Sequence, residues 1–325
     1  MSTATFALAT LCAALMGFAI QRGATCMVAA VDEIVSKRRA TRLLALGEAA
    51  AWVAGGLILA HLAGLLAMRP AAYVPTGATI AGAVLLGLGA FVNRACVFGA
   101  IARLGSGDWT YAATPIGFFL GCLTATPLFM APLFMAPLFM TMRPRPGPVS
   151  TLFDHAPLLA VPVLALLLWR SAGALRAGID ARLAEHVWHP HHATAVIGLA
   201  FVVMMLTVGN WAYTDALADL ARGMTAGLEG RMLLLFALIL GALAGGRTAG
   251  RLRRVAPTAA GLARCLAGGL TMGWGSLLIP GGNDGLILVG LPLLQPHAWI
   301  AIATMALTIA IAMLAARRIA AIRAA

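Results

Sequence analysis

The sequence predicts an all-α polytopic membrane protein with about nine transmembrane helices, short broken or re-entrant helices, and an inverted pseudo-symmetric repeat. Three observations lead there. Of 325 residues, 61% are hydrophobic and only 10% charged, a balance foreign to soluble domains. The basic residues gather on one side of the apolar runs. One glycine-rich segment, Gly87 to Gly99 (GLGAFVNRACVFG), returns in altered form as Gly273 to Gly285 (GWGSLLIPGGNDG).

With about 20 apolar residues to a crossing, the spans fall at 4–22, 43–68, 76–93, 110–131, 156–170, 193–210, 231–247, 258–280 and 297–316. The first apolar run, Thr5 to Ile20, lacks a basic leading region and an A-x-A cleavage site, so it reads as a retained span rather than a signal peptide. A periplasmic N-terminus and cytoplasmic C-terminus put the basic clusters at 37–42, 247–254 and 317–323 inside. Only Arg69, Arg143, Arg145, Arg222 and Arg231 stay opposite. This asymmetry, set across a lipid bilayer, explains most of the +12 net charge with no nucleic acid as partner. The chain, 1–325, reads as a single membrane transport domain with repeat halves 1–142 and 156–325. Its first glycine segment follows a span running inward and its second follows one running outward, so the copies are antiparallel, as in inverted-repeat transporters.

Three stretches receive plain readings. Thr126 to Met140, TPLFM-APLFM-APLFM, has a period of five that suits neither helix nor strand and a proline in each copy, so it is a tolerated expansion. His186 to His192, HVWHPHH, is an exposed, proline-broken cytoplasmic loop rather than a metal site. Trp211 to Arg222 reads as an amphipathic helix on the outer interface, whose Asp215 and Asp219 repel anions unless they face away from the entrance.

The chemistry lies at the breaks. Residues 4 to 35 are too long for one crossing, so a break near Gly23 sets Gln21, Arg22 and Cys26 around a kink at membrane depth, where an arginine needs water, a partner or an anion. The first glycine segment carries Asn93 and Cys96; the second carries Gly282, Asn283 and Asp284. Half-helices starting after such breaks aim their positive ends at a cavity and suit an anion, which the Asp284 carboxylate opposes unless it is paired, protonated or used for a proton or cation. The five cysteines stand singly, with no disulfide framework or metal spacing. No nucleotide motif is present, and no cofactor is expected.

The segments QRGATC, GLGAFVNRACVFGAIARLGSG and GGLTMGWGSLLIPGGNDGLILVG resemble the three signature regions of the YeeE/YedE sulfur-transport family, in order along most of the chain. The resemblance implies an hourglass-shaped bacterial inner-membrane protein, not an enzyme, that imports thiosulfate or a similar small sulfur oxyanion along a cysteine-lined path. It also implies a cytoplasmic TusA-like sulfur carrier as partner. The family's first two cysteines fall on Cys26 and Cys96, whereas its third falls on Gly282, with Asp284 two residues on. The substrate-binding set implied is therefore Cys26, Cys96, Arg22, Gln21, Asn93, Gly282, Asn283 and Asp284. Thiols suit thiosulfate because its terminal sulfur is a poor acceptor: a neutral thiol is a weak donor that lets go what it binds. Two alternatives stand beside this: a different small solute on the same frame, and a membrane thiol enzyme in a persulfide relay.

Overall fold

The computed structural model describes residues 2–66, 70–130, 145–147, 151–176, 187–224, 227–250, 252–253 and 255–324. The helices are α1 (Thr3–Gly23), α2 (Met27–Lys37), α3 (Thr41–Leu62), α4 (Gly77–Asn93), α5 (Val97–Gly105), α6 (Ala113–Met130), α7 (Ala156–Arg176), α8 (Pro190–Val208), α9 (Tyr213–Ala221), α10 (Leu228–Thr248), α11 (Ala259–Leu278), α12 (Asn283–Gly290) and α13 (Pro296–Ala324). Each of the nine apolar runs holds one of them. Among the described residues, six segments are long and apolar enough to cross a membrane, or seven if the bent pair α11 and α12 counts as one span. The chain is thus an all-α polytopic membrane protein.

Three helices are interrupted, and each interruption is local. After α1, Ala24 turns left-handed (φ 47°) and Thr25 and Cys26 run on to α2. After α4, Arg94 does the same (φ 60°) before Cys96 caps α5. After α11, Pro280 (φ 30°) and Gly281 (φ 142°) reverse the chain, and α12 leaves at 56° to α11, its last five residues π-helical. Gly23 is not the turning residue. It admits α8, since a Cβ there would lie 2.3 Å from the Cβ of Ala193.

The centre of the fold is the crossing of α4 and α11. A Cβ on Gly82 would lie 2.6 Å from the Gly275 carbonyl oxygen, and one on Gly275 would lie 2.5 Å from that of Gly82; Gly89 and Gly268 repeat this at 2.6 and 2.7 Å. Because 82 meets 275 while 89 meets 268, the two helices run antiparallel. A shift of 186 residues carries Gly82 onto Gly268 and Gly89 onto Gly275, so the pairing is reciprocal, as across a two-fold axis. The same shift carries Val97 onto Asn283. These two are bonded to each other, the Val97 N–H donating to Asn283 Oδ1 at 3.4 Å. Positions related by a two-fold can touch only at the axis, which therefore passes through the start of α5 and α12.

Two plain readings change. Helix α9 is not an interfacial float: Tyr213, Thr214, Ala216, Leu217 and Ala218 are buried as it packs against α6, α10 and α12. Pro190 is not in a loop but opens α8, where proline is favoured because the first helical N–H has no partner to lose. His191 there bonds Glu48, which also takes both Nε and Nη2 of Arg170 at 2.9 Å, so one carboxylate ties α3, α7 and α8. The pentapeptide repeat beyond Met130 and His186 lie outside the described residues.

Candidate functional site

The three breaks bring three helix starts together. Cys26 caps α2, Cys96 caps α5 and Gly282 caps α12, each in extended backbone with no capping bond from its own side chain. The Met27 N–H donates to Cys96 Sγ at 3.2 Å, and the two thiols lie within hydrogen-bonding reach of each other. Gly99 makes the approach possible, because a Cβ there would stand 2.4 Å from Cys26 Sγ. Next along the line comes Val97, whose N–H meets Asn283 and whose carbonyl accepts from the Tyr213 hydroxyl at 2.9 Å. Beyond it the Thr214 N–H donates to Asp284 Oδ2 at 3.2 Å, and the Thr214 hydroxyl donates to Asp284 Oδ1. The result is a continuous polar neck at the two-fold axis: thiols at one end, oxygens at the other.

A cavity opens at each end. One, about 570 Å³ in volume, reaches Cys26 and Gly99 and is ringed by Lys37, Arg42, Arg94 and Arg103, with Asp32 and Glu33 among them. The other, about 220 Å³, is lined by Asp215, Asp219, Arg222, Arg231, Gly285 and His297. Each sits at the C-terminal end of α4 or α11. Those helices are antiparallel, so the cavities open on opposite faces, and the neck separates them. The α9 acids therefore face a cavity mouth instead of turning away from it. Burial, then the facing carboxylates of Asp284 and Asp219, push the Asp215 carboxyl up to about 7, against the pull of Arg231 and Arg222.

The predicted residues divide into three groups. Cys26, Cys96, Asn283 and Asp284 converge on the neck. Asn93, fully buried, instead braces the first break: its Nδ2 donates to the Ala95 carbonyl at 2.8 Å and its Oδ1 accepts from the Thr114 hydroxyl at 3.0 Å. Gln21 and Arg22 sit off the neck and line neither cavity. Gln21 Nε2 donates to Ser106 Oγ at 3.2 Å, while Arg22 donates to Thr248 Oγ1 at 2.9 Å and stacks 5.0 Å from the Phe18 ring centroid. An arginine at this depth thus finds a partner on α10.

Gly282 is the most constrained of the set. A Cβ on it would lie 2.3 Å from Thr214 Oγ1 and 2.8 Å from Asp284 Oδ1. The place of a third thiol is filled by a threonine hydroxyl and a carboxyl group. Thr214 and Tyr213 were not singled out in sequence, and neither was His297. Among the described residues the Asn283 Nδ2, on a fully buried side chain, has no hydrogen-bond partner, so the neck holds an unsatisfied donor. Buried donors are rarely left so without a ligand or water to meet them. Among the described residues no cluster of three or more His, Cys, Asp or Glu side chains fits a metal.

A protein-family model described as sulphur transport matches residues 22–311. Comparison with curated proteins finds no match. The matched segment runs from the first break to within α13 and includes all three helix starts. Together with the span-length helices, it makes the chain a multi-pass membrane transporter of sulfur compounds.

Proposed function

We propose that this chain, which belongs to the sulphur-transport family, imports thiosulfate or a closely similar small sulfur anion through the neck. The membrane is a bacterial inner membrane and the N-terminus is periplasmic. One observation carries the reading: two buried thiols cap converging helices between two cavities on opposite faces. The positive ends of α2 and α5 favour an anion there. A protonated thiol and the Asn283 amide are donors weak enough to release it. Arg42, Arg94 and Arg103 then draw the anion into the larger cavity, which in this orientation opens to the cytoplasm and to a TusA-like carrier.

Uptake of sulfur-35-labelled thiosulfate, with sulfate as control, in cells lacking other importers tests this. Uptake that falls with Cys96→Ala and only weakens with Cys96→Ser supports it. Uptake of neither anion refutes it, and complete loss with Cys96→Ser favours a thiol enzyme. A second reading has its own observation. The oxygen-lined end, with Thr214 and Asp284 beside position 282, favours a solute that offers hydrogen-bond donors, so small organic sulfur solutes bearing N–H or O–H groups belong in the same assay.

A further inference from the structure

Asp284 is 2% exposed, and its carboxylate oxygens are met by the Thr214 N–H and hydroxyl; among the described residues it has no ion pair. The second acid, Asp215, stands next to it. A Cβ on Gly285 would lie 3.5 Å from Asp215 Oδ2, and Asp215 lines the smaller cavity. Other groups face the pair from each packed element. Asp219 and Arg222 share α9, Arg231 comes from α10, Cys122 from α6, and Tyr213 borders Asp284. The two arginines are engaged elsewhere: Arg231 bonds Asp219, and Arg222 lies 3.8 Å from it. Asp215 and Asp284 are thus neighbouring buried carboxyl groups and, among the described residues, neither has an ion pair, a setting in which two carboxyl groups share protons.

A second observation at the same cavity points to what arrives there. His297 is 3% exposed and, among the described residues, its Nδ1 has no partner, while its ring bonds the Tyr73 backbone and meets the Tyr73 ring edge-on at 5.5 Å. A nitrogen that donates to a carbonyl fixes the other as a lone pair when the ring is neutral. His297 lines the smaller cavity, so an acceptor nitrogen stands beside it.

We propose that Asp215 and Asp284, with His297 at the mouth, form a proton-loading site, and that each anion crossing the neck is accompanied by protons from it. This rests on the anion-import reading above. A proton from the outer solution passes by His297 to Asp215, is shared with Asp284, and leaves with the anion past Cys96 into the Cys26 cavity; no electrons move. Burial and the neighbouring Asp284 carboxylate push the Asp215 carboxyl up to about 7, which brings its proton exchange toward the physiological range. The coupling answers an electrical problem, since a dianion entering a negative-inside cell is repelled unless positive charge travels with it.

The test uses the purified full chain in liposomes containing a pH-sensitive dye, with labelled thiosulfate outside. Acid outside is expected to raise uptake at least several-fold, and thiosulfate addition is expected to acidify the lumen. Asp215→Asn is expected to abolish both while thiosulfate exchange across equal pH continues. Infrared difference spectra between pH 5 and pH 9 give a substrate-free readout: a protonated-carboxyl band that titrates near neutrality and vanishes in Asp215→Asn. Exchange that ignores the pH gradient, stimulation by a sodium gradient instead, or absence of the band overturns the proton site. Absence of thiosulfate exchange in a chain that keeps the band overturns the thiosulfate reading and supports the proton site.

Discussion

The two ends of the neck are built on one frame and carry different chemistry. At the α5 start, glycine at 99 makes room for a neighbouring thiol; at the α12 start, glycine stands at 282, the position equivalent to Cys96, and the space goes to Thr214 and Asp284. Val97 and Asn283 hold the same position in the two copies and bond each other, yet one offers only backbone and the other an amide. Pseudo-symmetry thus fixes where helices break and which helix reaches in, since the same shift of 186 carries Met27 at the start of α2 onto Tyr213 at the start of α9, while the residues at those places decide what each break can bind. Helix α2 supplies the sulfur end and α9 the oxygen end.

The largest effect is expected where that division is forced. Gly282→Cys alone is expected to lower thiosulfate uptake by more than about tenfold, since the new Cβ drives out Thr214 at an overpacking cost of about 1–3 kcal/mol. Pairing it with Thr214→Ala is expected to recover most of the loss. Equal loss in the double mutant, measured at matched surface expression, would show that Thr214 is not the obstruction. At the sulfur end, Cys96→Ala is expected to cost about tenfold in uptake, or 1.4 kcal/mol, and to narrow the preference for thiosulfate over sulfate. An unchanged preference would remove sulfur recognition from this end.

Smaller effects sharpen the same contrast. The Asp215 carboxyl lies above its ordinary 3.8 in the folded chain, so the folded state binds more protons than the unfolded state between 3.8 and about 7. Stability is therefore lost as pH rises through that window. Thermal melts in detergent are expected to drop by a few degrees from pH 5 to pH 8, with Asp215→Asn flat across the same range. A parallel drop in the variant would assign the effect to other groups. Smallest of all, Arg22→Gln is expected to change uptake by less than about twofold, because its guanidinium serves α10; a tenfold change in uptake at normal expression would return it to the path.

How much of this was legible follows from the kind of signal each residue carries. The three breaks were visible because a polar, glycine-bearing segment inside an apolar run has few other uses. Their antiparallel relation followed from an odd number of crossings between them, and the Gly82–Gly275 and Gly89–Gly268 contacts carry it directly. The direction of a side chain was not visible. Arg22 and Cys26 are four residues apart, one helical turn on a continuous helix, but the left-handed turn at Ala24 intervenes and sends them to different sides. Helix α9 misled for a related reason: apolar spacing shows that a helix has a buried face, not whether lipid or protein covers it. Pro190, by contrast, carried a readable helix-start signal in a histidine-rich stretch taken as loop.

The crowding at Gly282 also bears on history. A third thiol can be gained by one substitution at 282, but that substitution collides with Thr214 unless Thr214 has already been shortened, and shortening it to alanine first takes one of the two donors from Asp284. Either first step is harmful without the second. The oxygen-lined end is therefore expected to be hard to convert to a thiol by single changes, and changes of cargo are expected to come more readily from substitutions around Asp284.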